Sequence, residues 1–110
     1  METIPDWSIE AERELLQAEA ARRSGNEGRA RVCARRAAGL AARDFLRRRG
    51  QPPGNAYQSL LALAELPGLP PDLRLAARHL TLRVTEAFSF PEGVDLIAEA
   101  RRLCQRLPAE

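Results

Sequence analysis

Apolar residues in this chain recur mainly at three- and four-residue steps, the period of an α-helix. The spacing predicts five helical segments. The first runs from about Asp6 to Arg23, with Trp7, Ala11, Leu15 and Ala18 inward, and ends at Ser24-Gly25-Asn26. A second runs from about Glu27 to Arg49 and stops at Gly50; its inward stripe is Ala30, Ala34, Ala37, Ala41 and Phe45, flanked by Cys33, Ala38 and Leu40. So many alanines let a neighbouring backbone approach to roughly 8 Å. After the Gln51-Pro52-Pro53-Gly54 turn, Asn55 and Gln58 have capping-box spacing, and a short helix reaches Leu66 with Tyr57, Leu60, Leu61, Leu63 and Ala64 in an apolar cluster.

A fourth helix, capped by Asp72, is predicted over Leu73 to Phe88, with two apolar faces. Leu73, Ala76, Ala77, Leu80, Val84, Ala87 and Phe88 form one; Leu75, His79, Leu82 and Glu86 lie on the other at i, i+4, i+7 and i+11. One buried face suffices for a surface helix, so the second stripe points to a second contact, most simply another copy of the chain. Phe90-Pro91 breaks the pattern, and a last helix from Val94 to Leu107 buries Leu96, Ile97, Ala100, Leu103, Cys104 and Leu107. Short connections make neighbours antiparallel. The expected fold is all-α, an up-and-down four-helix bundle with an extra short helix, formed by residues 1–110 as one domain.

Composition agrees, since Ala and Leu dominate the apolar share and favour helix. All 17 basic residues are Arg, which reads as a genome or growth-temperature bias. No run approaches a membrane span, and Met1–Asp6 is not a signal peptide, so the expected setting is the cytoplasm, with no membrane partner. Cys33 and Cys104 are then buried free thiols, and two Cys with one His give no metal-ligand spacing. The net charge of +2 hides a partition. Six acids against one Arg leave residues 1–21 at −5, ten Arg against two acids leave 22–49 at +8, and 50–110 sits at −1. Such a basic helix invites a polyanion reading. The duller expectation is that Glu10, Glu12, Glu14 and Glu19 partly neutralise a stripe of Arg29, Arg36, Arg43 and Arg47, each exposed pair contributing about 0.2–1 kcal/mol. Trp7, Tyr57, Phe88 and Phe90 are expected in packing roles.

Over roughly residues 8–107 the chain resembles the HEPN domain family of small prokaryotic helical proteins. The likeness lies in the Ala-rich second helix from Ala34 to Leu46 with its basic tip and glycine, the Leu-rich segment Tyr57 to Leu66, and Ala76-Ala77-Arg78-His79-Leu80 leading to Phe88-Ser89-Phe90-Pro91. The resemblance implies a four-helix bundle that dimerises. Its active members are metal-independent RNases or toxins paired with a small nucleotidyltransferase, and others bind nucleotides or proteins. Catalytic members carry an Arg, four to six residues, then a His; a cation stabilises the phosphorane-like transition state while imidazole moves a proton.

Arg74-x4-His79 has that spacing, but aligning Ala76-Ala77-Arg78 with the family's Ala-Ala-Arg makes Arg78 the catalytic arginine and places Arg83 where the histidine belongs. Arg74 and His79 also lie about 140° apart on a helical wheel, so only a dimer brings one chain's Arg to the other's His. Arg78 and Arg83 are candidate anion contacts, with Glu86 placed to orient His79; Leu75, His79 and Leu82 form the expected homodimer face. The favoured reading is a non-catalytic, HEPN-like component that binds a nucleotide, RNA or a nucleotidyltransferase partner and needs no cofactor. A metal-independent endoribonuclease and a ligand-free helical scaffold are the alternatives.

Overall fold

The computed structural model describes residues 3–52, 54–82 and 93–110. Its elements are α1 (Asp6–Arg23), α2 (Glu27–Arg48), α3 (Ala56–Ala64), α4 (Pro71–Thr81) and α5 (Leu96–Arg106), followed by a 3₁₀ turn at Leu107–Ala109. No strand occurs among the described residues.

Local chemistry sets most boundaries. α1 closes in a Schellman motif: Gly25 takes φ +81°, its N–H donates to the Arg22 carbonyl, and the Asn26 N–H donates to that of Ala21. Asn26 then caps α2 by accepting from the Arg29 N–H at 3.1 Å. α2 ends the same way, at Gly50 and Gln51. Asn55 and Gln58 form the reciprocal capping box of α3, at 2.8 and 3.1 Å. Asp95 starts α5 by accepting from the Ile97 and Ala98 N–H groups.

α4 departs from the expectation at both ends. It begins at Pro71, and Asp72, in its first turn, pairs with Arg106 of α5 rather than capping the helix. It stops at Thr81, because Leu82 is extended (φ −77°, ψ 148°). The end is held from another element: the Arg35 guanidinium of α2 donates to the carbonyls of Leu80 at 2.9 Å and Leu82 at 2.6 Å. A helix whose terminal carbonyls already have charged donors loses little by ending there. Val84, Ala87, Phe88, Phe90 and Pro91 lie outside the described residues.

Contacts fix the directions. Gln17 meets Arg29 across α1 and α2, which run antiparallel with alanines between them. α5 opposes α1, its Asp95 beside Arg22 and its Arg101 holding Glu12 and Glu19 at 3.2 and 2.8 Å. α4 opposes α5 through Asp72–Arg106 and His79–Glu99. The short α3 crosses α2 where Gly39 meets Ala56. One core results, filled by Phe45, Leu15, Leu60, Leu63, Leu73, Leu80, Leu103 and Leu107 over the alanine floor of α2.

Two expectations about side chains need correction. Glu12 and Glu19 serve Arg101 of α5, while Arg47 pairs with Asp44 on its own helix, so the acids of α1 do not neutralise the α2 stripe in the way expected. Tyr57 stands 47% exposed instead of packing inward. The expected thiols are present: Cys33 is buried, and Cys104, partly buried, donates weakly to the Ala37 carbonyl at 3.5 Å.

Candidate functional site

Two places on the molecule carry chemistry, and both adjoin the last turn of α4. The first is His79. Its ring is only 14% exposed, and Nδ1 stands 2.8 and 3.0 Å from the two oxygens of Glu99, itself 13% exposed. With Glu99 as a carboxylate, an acceptor only, Nδ1 carries the proton and donates. The imidazole thus ties α4 to α5 within the chain. Its sequence neighbour on the expected stripe, Leu75, is 47% exposed, whereas Leu82 is partly buried beyond the helix end. The stripe is therefore cut at Leu82, and Leu75, His79 and Leu82 do not share a continuous helical face.

Arg74 is part-buried, and its Nε is a buried donor with no hydrogen-bond partner among the described residues. No hydrogen bond or ion pair joins it to His79, as the wheel anticipates. Arg78 is exposed. Arg83 and Glu86 lie outside the described residues; the carboxylate that orients His79 here is Glu99, twenty residues away in sequence and invisible to helical spacing.

The second place is a groove of about 510 Å³ between α2, α3 and the end of α4. Arg31, Arg35 and Arg36 stand on the α2 side, with Gly28 at the first turn of that helix; Val32, Ala56, Tyr57, Leu60 and Leu80 supply apolar surface. No carboxylate is among the described lining residues. Arg35 is held in place by its fork on the α4 carbonyls, and Arg36 is exposed. Sequence reasoning missed this groove because it weighed the α2 arginines as a stripe of Arg29, Arg36, Arg43 and Arg47, which leaves out Arg31 and Arg35. The available signal was the Arg31-x3-Arg35-Arg36 cluster, which shares a turn with the apolar Val32. A smaller hollow of about 390 Å³ lies between Trp7, Leu40, Arg43 and Arg47, where Asp44 already neutralises Arg47.

Ionisation follows the same map. Burial pushes the Asp44 carboxyl up, but hydrogen bonds from Arg47 and Arg48 outweigh it and hold the group below the usual carboxylate range. Asp95 behaves likewise, with burial opposed by Arg22 and by the N–H groups it caps. The Glu27 carboxyl is lowered chiefly by its hydrogen bond from Arg22. Burial raises both thiols, Cys104 to about 12, which makes them poor nucleophiles. Among the described residues no group of three or more His, Cys, Asp or Glu could hold a metal ion, and no helix is long and apolar enough to cross a membrane.

Fold and site together define an all-helical protein with a carboxylate-bound histidine and a basic, apolar-floored groove. Comparison with protein-family models, with curated proteins and with solved structures finds no match in any of the three.

Proposed function

We propose that this chain is a HEPN-like four-helix bundle, α1, α2, α4 and α5, crossed by α3, and that it acts as a non-catalytic binding component in the cytoplasm. It works as a homodimer, with a small nucleotidyltransferase as its protein partner and a nucleotide or RNA as its ligand class. The observation that carries the non-catalytic reading is the His79–Glu99 pair: the imidazole is spent on joining two helices, part-buried and with no hydrogen bond or ion pair to Arg74. A composite active site needs that ring presented to substrate.

One feature favours the endoribonuclease as a second reading. A carboxylate on Nδ1 orients an imidazole and leaves Nε2 for proton transfer, as in catalytic dyads. Incubating the purified chain with tRNA in EDTA separates the two readings. No cleavage is expected; cleavage that vanishes in His79→Ala overturns the non-catalytic reading and installs the second. Light scattering tests the assembly, since Leu75→Glu places a charge on an exposed leucine of the proposed dimer face. A wild-type dimer that becomes monomeric is expected, and an unchanged dimer removes Leu75 from the interface.

A further inference from the structure

We infer that the outward face of α1 is a second self-association surface, and that its occupant is α1 of another copy of this chain, packed antiparallel. Among the described elements α1 packs only against α2 and α5, so its side turned away from both has no neighbour there. That side is nonetheless apolar. At about 100° per residue, Ile9, Leu16 and Ala20 fall within about 40° of one another, roughly opposite the buried Ala11, Leu15 and Ala18. Ile9 is 49% exposed and Leu16 55%, and Ile4, just ahead of the helix, is 65% exposed. A surface helix needs one buried face, and α1 has it already. The inference does not use the Leu75 contact proposed above, because α1 and α4 share no contact among the described elements.

The face complements itself. Across a two-fold axis level with Glu12, two antiparallel copies of α1 bring Leu16 of each against the partner's Ile9, and Ile4 level with the partner's Ala20. Side chains of two such helices interdigitate at interaxial distances of about 8–10 Å. Charge fits the same register. Glu10 and Arg13 stand on the flank of the stripe toward α2, where Gln17 meets Arg29. Both are exposed, and neither enters a hydrogen bond or ion pair among the described residues. A two-fold axis of this kind sets like flank against like flank, so Glu10 of each copy meets the partner's Arg13, twice per pair. Glu12, level with the axis on the opposite flank, is already held by Arg101 at 3.2 Å. Antiparallel packing also sets the positive end of each helix beside the negative end of the other. One helix face is small against the roughly 1,200–2,000 Å² of a stable interface, so the contact belongs to the weak, concentration-driven class. It adds to the dimer proposed above an assembly step that appears only at high chain concentration.

Analytical ultracentrifugation of the full chain, from about 10 μM to about 1 mM, reads this step directly. Wild type is expected to gain mass across that range, and Leu16→Glu, which sets a charge in the middle of the stripe, to sediment alike at both ends of it. Glu10→Arg and Arg13→Glu each place like charges across the axis and are each expected to weaken the step at least about tenfold. An equimolar mixture of these two variants is expected to restore it, because each chain then offers the charge the other lacks. Rescue on mixing separates a contact between chains from one within a chain. All three positions are exposed, so circular dichroism is expected to stay unchanged. Leu75→Glu is expected to keep the step; its loss there places the growth on α4 and overturns the inference. So does a mixture that stays weak, or a Leu16→Glu chain that gains mass like wild type. A wild type that gains none across the range also overturns it and leaves the stripe to a different protein. The reading above is judged separately, by the species that Leu75→Glu forms at the low end of the range and by the tRNA assay.

Discussion

Gly39→Ala is the most informative single change, because two well-measured effects oppose each other there. Gly39 is buried in the middle of α2, where glycine costs about 1 kcal/mol against alanine in helix propensity. Propensity alone therefore makes the substitution stabilising. Geometry says otherwise: an added Cβ would fall inside the contact radius of the Ala56 Cβ and stand 2.8 Å from the Ala56 Cα. The Cα is backbone of α3, not the end of a flexible side chain, so the whole crossing must open. Overpacking of this kind costs about 1–3 kcal/mol, and an obstructing backbone argues for the upper half of that range. The expected net is a loss of about 1–2 kcal/mol. For a chain of this length that lowers Tm by roughly 5–10 °C, or the urea midpoint by about 1 M at unchanged m. Gly28→Ala supplies the control on the same helix, since its Cβ would meet nothing closer than the Asn26 side-chain oxygen at 3.9 Å. Urea titrations followed by circular dichroism decide between the effects. If Gly39→Ala is as stable as wild type or more so, α3 does not press on α2 as described, and the groove that the crossing shapes loses its wall.

Other expectations follow from particular contacts. Arg35→Ala removes charged donors from the Leu80 and Leu82 carbonyls, worth about 1.5–3 kcal/mol together; hydrogen exchange is expected to quicken in the last turn of α4 first, and Arg35→Lys, lacking the fork, to restore little. A double-mutant cycle on His79→Ala and Glu99→Ala is expected to give a coupling of about 1–2 kcal/mol, while a value near zero removes the pair's structural role. Asp44, Asp95 and Glu27 are all lowered in the folded chain, so their contribution is present above the unfolded carboxylate pKa of about 4 and lost as pH falls through the folded values. Stability is therefore expected to hold flat from pH 7 to about 5 and drop below about 4, the drop shrinking in Asp95→Asn. With its thiol at about 12 against an ordinary 9, Cys104 holds roughly a thousandfold less thiolate at pH 8; iodoacetamide is expected to label it slowly in the native chain and readily in urea.

What the sequence disclosed follows physical range. Signals that act within a few residues were legible: the Ser24-Gly25-Asn26 turn, the Asn55–Gln58 box and the alanine face of α2 set helices α1 to α3 nearly to the residue. Signals that act across the fold were not. Apolar period alone carries α4 on to Phe88, whereas the helix ends at Thr81, its last carbonyls met by Arg35, 45 residues earlier in the chain. The same reach explains the histidine. A wheel sets His79 beside Leu75 and Glu86, but the ring is claimed by Glu99 on a helix the wheel does not contain. Charge misled for a related reason. The acids of α1 lie nearest to α2 in sequence, yet α5 packs against α1 and takes Glu12 and Glu19 through Arg101. The pairing follows from packing direction: α5 runs against α1, so Arg101 reaches both Glu12 and Glu19 from one position. Which acids meet which arginines is thus set by the order in which helices pack, and not by their nearness in sequence.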